Sequence, residues 1–187
     1  MTRRILRAAD HRRMPWKNGQ GETIQIAVWP QDAGLEDFGW RVSMAGVTED
    51  GEFSIFQGID RSLAVLTGAG LELQIQGMGL RRLDEGGQPL AFPADAPTAA
   101  RLLAGPITDL NVMTRRDGFR HRLQLLDASP SGTPDWRLLL ATDYATVECA
   151  GETLGLEPGD AVLCDGPEAA LPISPAPDLW LIEIFRD

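Results

Sequence analysis

The feature that most constrains this chain is a strict alternation of apolar and polar residues, repeated in many short runs. ETIQIAVW (22–29) sets Ile24, Ile26 and Val28 against Thr23, Gln25 and Ala27. WRVSMAGV (40–47) sets Trp40, Val42 and Met44 against Arg41, Ser43 and Ala45. LELQIQ (71–76) alternates Leu71, Leu73 and Ile75 with Glu72, Gln74 and Gln76, and HRLQLL, ATVECA and LWLIEIF continue the pattern. A period of two puts successive side chains on opposite faces of a strand, whereas a helix would need a period near 3.6. The runs are short and bounded by Gly, Pro, Asp or Gln, as expected of an all-β sandwich or barrel. A helical turn is expected only at PTAARLLA (97–104), where Pro97 suits a first helical position.

A chain of 187 residues has room for one sizeable domain or two fused halves. The formal net charge of −10 argues against a direct nucleic-acid footprint, which needs a basic face. Arg115, Arg116, Arg120 and Arg122 form a local basic cluster. The opening MTRRILRAAD has no apolar signal-peptide core, and no apolar run approaches the ~20 residues that span a bilayer. Cys149 and Cys164 are too few for a disulfide framework. The expectation is a cytoplasmic protein with no membrane partner, in which Cys149 is a small buried apolar side chain.

Two stretches read as repeats of one unit. LTGAGLELQIQG followed by QPLAFPADAP (66–97) and ATDYATVECAGETLGLEPGDAVLCDG (141–166) both give strand, glycine turn, strand, and a turn leading to a further strand. The repeat and the late Pro-Gly-Asp turn suggest two cupin halves, at residues 1–117 and 118–187, with 127–136 as the best loop or linker. The predicted fold is an RmlC-like cupin jelly roll, two halves packed as one compact bicupin. Metal cupins carry a His-x-His pair and a Glu in the stretch punctuated here by Gly51, Gly58 and Gly70. Gln57 and Ile59 occupy the histidine spacing, no Glu lies between 60 and 70, and the only histidines are His11 and His121. First-row metals want imidazole and carboxylate ligands, so no metal and no cofactor is expected.

Two rare residue types stand together. Lys17 is the only lysine beside sixteen arginines, and Asn18 is one of two asparagines, the other being Asn111. An isolated solvated cation in such a chain would be arginine; lysine offers a compact ammonium with an adjustable pKa. Asn111 is mid-run in ITDLNVMTR, where Asp109, Asn111, Met113 and Arg115 share one face. Asparagine disfavours strands, so its place there implies a hydrogen-bonding task. Arg61 opens the run RSLAVLTG and can offer a guanidinium for bidentate carboxylate binding. Arg41 and Ser43 share a face, which meets either a cavity or solvent. There is no phosphate-binding loop, nucleophile elbow or zinc-type spacing.

The segments MPWKNGQGETIQIA, WRVSMAGVTEDGEFSIFQGIDRSLAVLTGAGLEL and GPITDLNVMTRR resemble the HutD/Ves family over much of residues 14–116, and the second half resembles it more loosely. The Trp-Lys-Asn-Gly element corresponds to Trp16, Lys17, Asn18 and Gly19, the G-x-x-R arginine to Arg61, and D-x-N-x-M-x-R-R to Asp109, Asn111, Met113, Arg115 and Arg116. The resemblance implies a two-cupin fold usually lacking the metal triad, and for the HutD branch a small-molecule-sensing, regulatory role in histidine utilisation, with urocanate or a related carboxylate as ligand. On this reading Trp16, Lys17, Asn18, Arg61, Asn111 and Met113 bind the ligand, and Trp40, Ser43 and Phe53 line its cavity. The alternatives are a metal-independent isomerase, lyase or hydrolase acting on a small carboxylate, with Lys17 as acid, base or Schiff-base group, and a pure interaction module. Beyond the small carboxylate no partner is implied, and a homodimer is compatible with the chain.

Overall fold

The computed structural model describes residues 3–16, 21–130, 132–149, 152–166, 174 and 176–187. The chain divides into two compact units, residues 12–118 and residues 1–11 together with 119–187. It opens on β1 (Arg3–Leu6) and one 3-10 turn (Ala8–Asp10). The first unit then contains β2 (Arg12–Pro15), β3 (Gly21–Trp29), β4 (Trp40–Val47), β5 (Gly51–Glu52), β6 (Ile59–Thr67), β7 (Leu71–Ile75), β8 (Gly79–Leu83), β9 (Leu90–Pro93), β10 (Thr98–Leu102) and β11 (Ile107–Arg115). The second contains β12 (Phe119–Leu126), β13 (Trp136–Ala141), β14 (Ala145–Cys149), β15 (Glu152–Leu156), β16 (Ala161–Asp165) and β17 (Ala176–Arg186). The all-β expectation holds, and no helix among the described residues is long and apolar enough to cross a membrane.

In the N-terminal unit a six-stranded sheet runs β2-β3-β4-β11-β6-β9 and a four-stranded sheet runs β5-β10-β7-β8. In their core Ala45, Val47, Leu63 and Val65 from the larger sheet meet Leu71, Leu73, Ile75, Leu83 and Ala100 from the smaller; in β4 this is the face of Arg41 and Ser43, opposite to that of Trp40, Val42 and Met44. Burying such a set is the main stabilising term of a sandwich. Gly70 makes the turn into β7 possible, with φ of +97° and an ideal Cβ position only 2.3 Å from the Leu83 carbonyl oxygen. The helical turn expected at 97–104 is instead β10, pairing with β7 from Thr98↔Ile75 to Leu102↔Leu71. Its alanines favour helix, but Thr98 and Ala100 are buried while Ala99 and Arg101 are exposed; the unpaired edge of β7 and the core beneath outweigh local propensity.

In the C-terminal unit a five-stranded sheet runs β1-β16-β13-β17-β12, beside the hairpin β14-β15. Leu126, Leu139, Ala141, Val147, Leu156, Val162, Leu179 and Leu181 form its core. Residues 1–11 go with this unit because β1 pairs with β16, Arg3 opposite Cys164. Asp160, nearly fully buried, fastens the segment after β1: its carboxylate accepts from the Ala8 and Glu157 amides at 2.8 and 3.1 Å and pairs with Arg7 at 2.6 Å.

The repeat in sequence is a repeat of pairing. β11 lies between β4 and β6, β6 pairs with β9, and β7 pairs with β8. Likewise β17 lies between β12 and β13, β13 pairs with β16, and β14 pairs with β15.

Candidate functional site

The N-terminal unit holds an open cavity of about 660 Å³ lined by β4, β6 and β11 and by the β2–β3 and β4–β5 regions. The odd-numbered positions of three adjacent strands supply its polar groups. Arg41, Met113 and Arg61 form one cross-strand row; Ser43, Asn111 and Leu63 form the next; Ala45, Asp109 and Val65 form the third. Antiparallel register therefore brings residues from opposite ends of the unit's sequence within side-chain reach of one another. Arg41, Ser43, Arg61, Asp109, Asn111 and Met113 are all buried and all line the cavity.

Arg61 is 5% exposed. Its guanidinium carbon lies 5.1, 5.5 and 5.9 Å from the ring centres of Phe53, Phe56 and Phe92, a cation–π surround. Its Nε has no hydrogen-bond partner among the described residues. Burial pulls its pKa down to about 10; Asp109 opposes that shift and Arg41 adds to it. Arg41 donates from Nε to Gln25 Oε1 at 2.9 Å, and burial, with the nearby Arg12 charge, lowers its pKa as well.

Asp109 is the buried counter-charge. Its Oδ1 accepts from Asn111 Nδ2 at 2.6 Å. Burial pushes its carboxyl pKa up to about 7, against the opposing pull of Arg61, Asn111 and the Ala45 amide. The buried part of the site thus holds two guanidinium groups and one carboxyl. Unpaired buried charge is costly, so the arrangement favours an entering anion.

Trp16 closes one wall. Its backbone N–H donates to Gly21 O and its indole Nε1 to Thr23 Oγ1, both at 2.9 Å. A Cβ on Gly21 would lie 2.3 Å from the Gly46 carbonyl and 3.0 Å from the Trp16 ring, so only glycine fits between them. Leu35 and three exposed carboxylates, Glu49, Asp50 and Glu52, also line the cavity, with Asp50 Oδ1 accepting from the Leu102 amide at 2.7 Å.

Of the residues singled out in the sequence, Trp16, Ser43, Phe53, Arg61, Asn111 and Met113 are brought together around this cavity. Lys17 and Asn18 lie outside the described residues. Trp40 is not in the lining: it is buried and its strand parity, opposite to that of Arg41 and Ser43, turns it to the other face of β4. Arg41 and Asp109 join the site without being among the residues expected to bind or line it. The available signal was parity, since each shares a strand face with an expected residue, Ser43 and Asn111. Among the described residues no three His, Cys, Asp or Glu side chains form a metal-holding group.

The HutD family model matches residues 8–181. The chain is 35% identical over 187 residues to an uncharacterized 21.2 kDa protein in the hutC 3′ region of Pseudomonas putida, covering 97% of this chain and 96% of the relative. It is 37% identical over 127 residues to Protein Ves of Citrobacter koseri, covering 63% and 62% of the two chains. The solved structure of HutD from Pseudomonas fluorescens SBW25 superposes with a TM-score of 0.84 at 36% identity, covering 100% of both chains. A cupin 2 conserved barrel domain protein from Leptotrichia buccalis, at 10% identity, superposes with a TM-score of 0.55 over 89% of each chain and shows the cupin fold alone.

Proposed function

This chain belongs to the HutD family, and from that premise we propose that its N-terminal cavity binds a small carboxylate in a regulatory role linked to histidine utilisation. The gene position of the Pseudomonas putida relative, beside hutC, supports the pathway. The observation that carries the ligand class is a pair of buried cations: Arg41 and Arg61 both line the cavity, and Asp109 is the one buried carboxyl in its lining, Glu49, Asp50 and Glu52 being exposed. A carboxylate entering there gains charge-assisted hydrogen bonds, the strong class. Asn111, already bonded to Asp109, lies in the row beside both arginines and orients the ligand; Trp16 and Phe53 supply the apolar walls. Urocanate or a related acid of histidine breakdown is the ligand on this reading.

Calorimetric titration of the protein with urocanate and related histidine-pathway acids tests it, with absorbance followed for consumption. Saturable heat without consumption is expected. Arg61→Ala and Arg41→Ala each weaken binding by about 10–100-fold, the worth of a hydrogen bond to a charged group. Unchanged affinity in both variants sinks the site. One observation favours the enzymatic reading: Asp109, with its carboxyl at about 7 inside the cavity, is suited to general acid–base chemistry. Consumption of the acid, abolished by Asp109→Asn, would establish it.

A further inference from the structure

The repeat of strand pairing carries a repeat of charge. In the N-terminal unit Arg41, Met113 and Arg61 face one another across β4, β11 and β6. The corresponding strands of the C-terminal unit are β12, β17 and β13, and their row reads Arg122, Glu183, Arg137. The correspondence does not depend on the arginines. Placing Arg137 on Arg61 without a gap puts Leu139, Ala141 and Val147 on Leu63, Val65 and Leu71, core residues of their respective units. The next strand agrees, since Arg61 faces Phe92 of β9 and Arg137 faces Cys164 of β16. Both units thus place an arginine on each side of the same central position. Only the central residue differs, methionine in one and glutamate in the other.

Glu183 is fully buried and held from both sides. Arg137 donates to its Oε1 from Nε at 3.2 Å and from Nη2 at 2.8 Å, and Arg122 Nη2 forms an ion pair with its Oε2 at 2.6 Å, without hydrogen-bond geometry. Two guanidinium groups close on one carboxylate. In the N-terminal unit the two guanidinium groups border an open cavity, and Arg61 Nε has no hydrogen-bond partner among the described residues. We propose that Glu183 is a built-in ligand: the C-terminal unit carries a second carboxylate site occupied by its own side chain, and a carboxylate entering the N-terminal cavity takes the place equivalent to that of the Glu183 carboxylate, over Met113 and between Arg41 and Arg61. This rests on the carboxylate-binding reading and adds the position of the carboxylate: of the two equivalent rows, only the N-terminal one is open.

The two arms of the test fail separately. Glu183→Ala removes a CH2–COO⁻ group, which acetate matches in size and charge. The variant is expected to lose thermal stability and to regain most of it with acetate, saturably and beyond any gain acetate gives the wild type through the N-terminal cavity, but not with chloride at equal ionic strength or with acetamide. Equal effects of acetate and chloride, or no effect of either, overturn the built-in ligand. In the other arm Met113→Glu supplies the N-terminal row with its own carboxylate. Binding of acetate or urocanate in the N-terminal cavity is expected to be at least about tenfold weaker than in Met113→Gln, which has the same shape without the charge and is the reference for whatever the loss of the methionine itself costs. Met113→Glu binding as well as Met113→Gln overturns the proposed position. If the wild type binds no carboxylate at all, the proposed function falls, and acetate rescue of Glu183→Ala still decides whether the C-terminal site exists. Where Glu183→Ala does not fold, the Met113 pair decides the equivalence.

Discussion

Asp109 makes the fold of the N-terminal unit sensitive to pH in a direction opposite to that of most carboxylates. Its carboxyl titrates at about 7 in the folded chain, against ~3.9 for an unfolded aspartate. Between those values the folded state keeps a proton that the unfolded chain has lost, so stability falls as pH rises. Each factor of ten in proton affinity is worth ~1.4 kcal/mol, giving a total of about 4 kcal/mol once pH exceeds both values. From about pH 5 to about pH 8 the loss is about 2.5 kcal/mol, because part of it is already incurred below that span. The charged group acting on Asp109 is Arg61, cationic across this range, so it adds no competing titration. Asp109→Asn removes the ionisable group and keeps an oxygen to accept from Asn111. Urea unfolding of both proteins, followed by tryptophan fluorescence at several pH values across the span, isolates the effect as a difference between two pH profiles. The wild type is expected to lose about 2.5 kcal/mol relative to the variant. Parallel profiles would refute the argument, showing that Asp109 ionises with an ordinary pKa and that the pocket is wetter or more positive than its burial implies.

Three further outcomes follow from named contacts. Glu183→Gln leaves Arg137, 2% exposed in its side chain, without its counter-charge and should cost about 3–5 kcal/mol in unfolding free energy, as for other broken buried pairs. Gly70→Ala forces a Cβ to within 2.3 Å of a backbone oxygen at a φ of +97°; strain and displacement together predict a loss of more than ~2 kcal/mol and a lowered melting temperature, while Gly77→Ala, at a φ of +83° but in open space, should cost less and so isolates the steric part. Trp16→Phe removes the indole donor to Thr23 while keeping an aromatic wall, and should cost about 1 kcal/mol in stability with a smaller effect on ligand affinity than Arg61→Ala.

Strand order along the chain was legible because alternation survives in almost every strand; β3, β4, β7 and β11 fall where period two puts them. β10 was not, because PTAARLLA satisfies both a helix and a strand pattern and only the free edge of β7 decides between them. The site was half legible. Rarity and mid-strand polarity singled out Asn111, and parity put Arg41 with Ser43. Whether that face met solvent or a cavity depended on the second sheet, which a local period cannot report. Trp40 shows the same limit from the other side: an aromatic beside cavity residues suggests a wall, yet one step along a strand reverses the face. The clasp on Glu183 depends on register between strands far apart in sequence, and nothing in the local sequence around Arg137 or Glu183 announces it.

The pairing of β1 with β16 fixes an order of events on the ribosome. Residues 12–118 contain every strand of the first unit, so that unit can close while the rest of the chain is still being made. β1 is synthesised before all of them and must wait, unpaired, until Ala161–Asp165 has emerged and joined its sheet. Its RRIL sequence, half of it arginine, keeps that waiting edge charged and soluble, which disfavours pairing with the wrong neighbour. Whatever the order in which the other strands close, β1 enters its sheet only after the residues of β16 have been made.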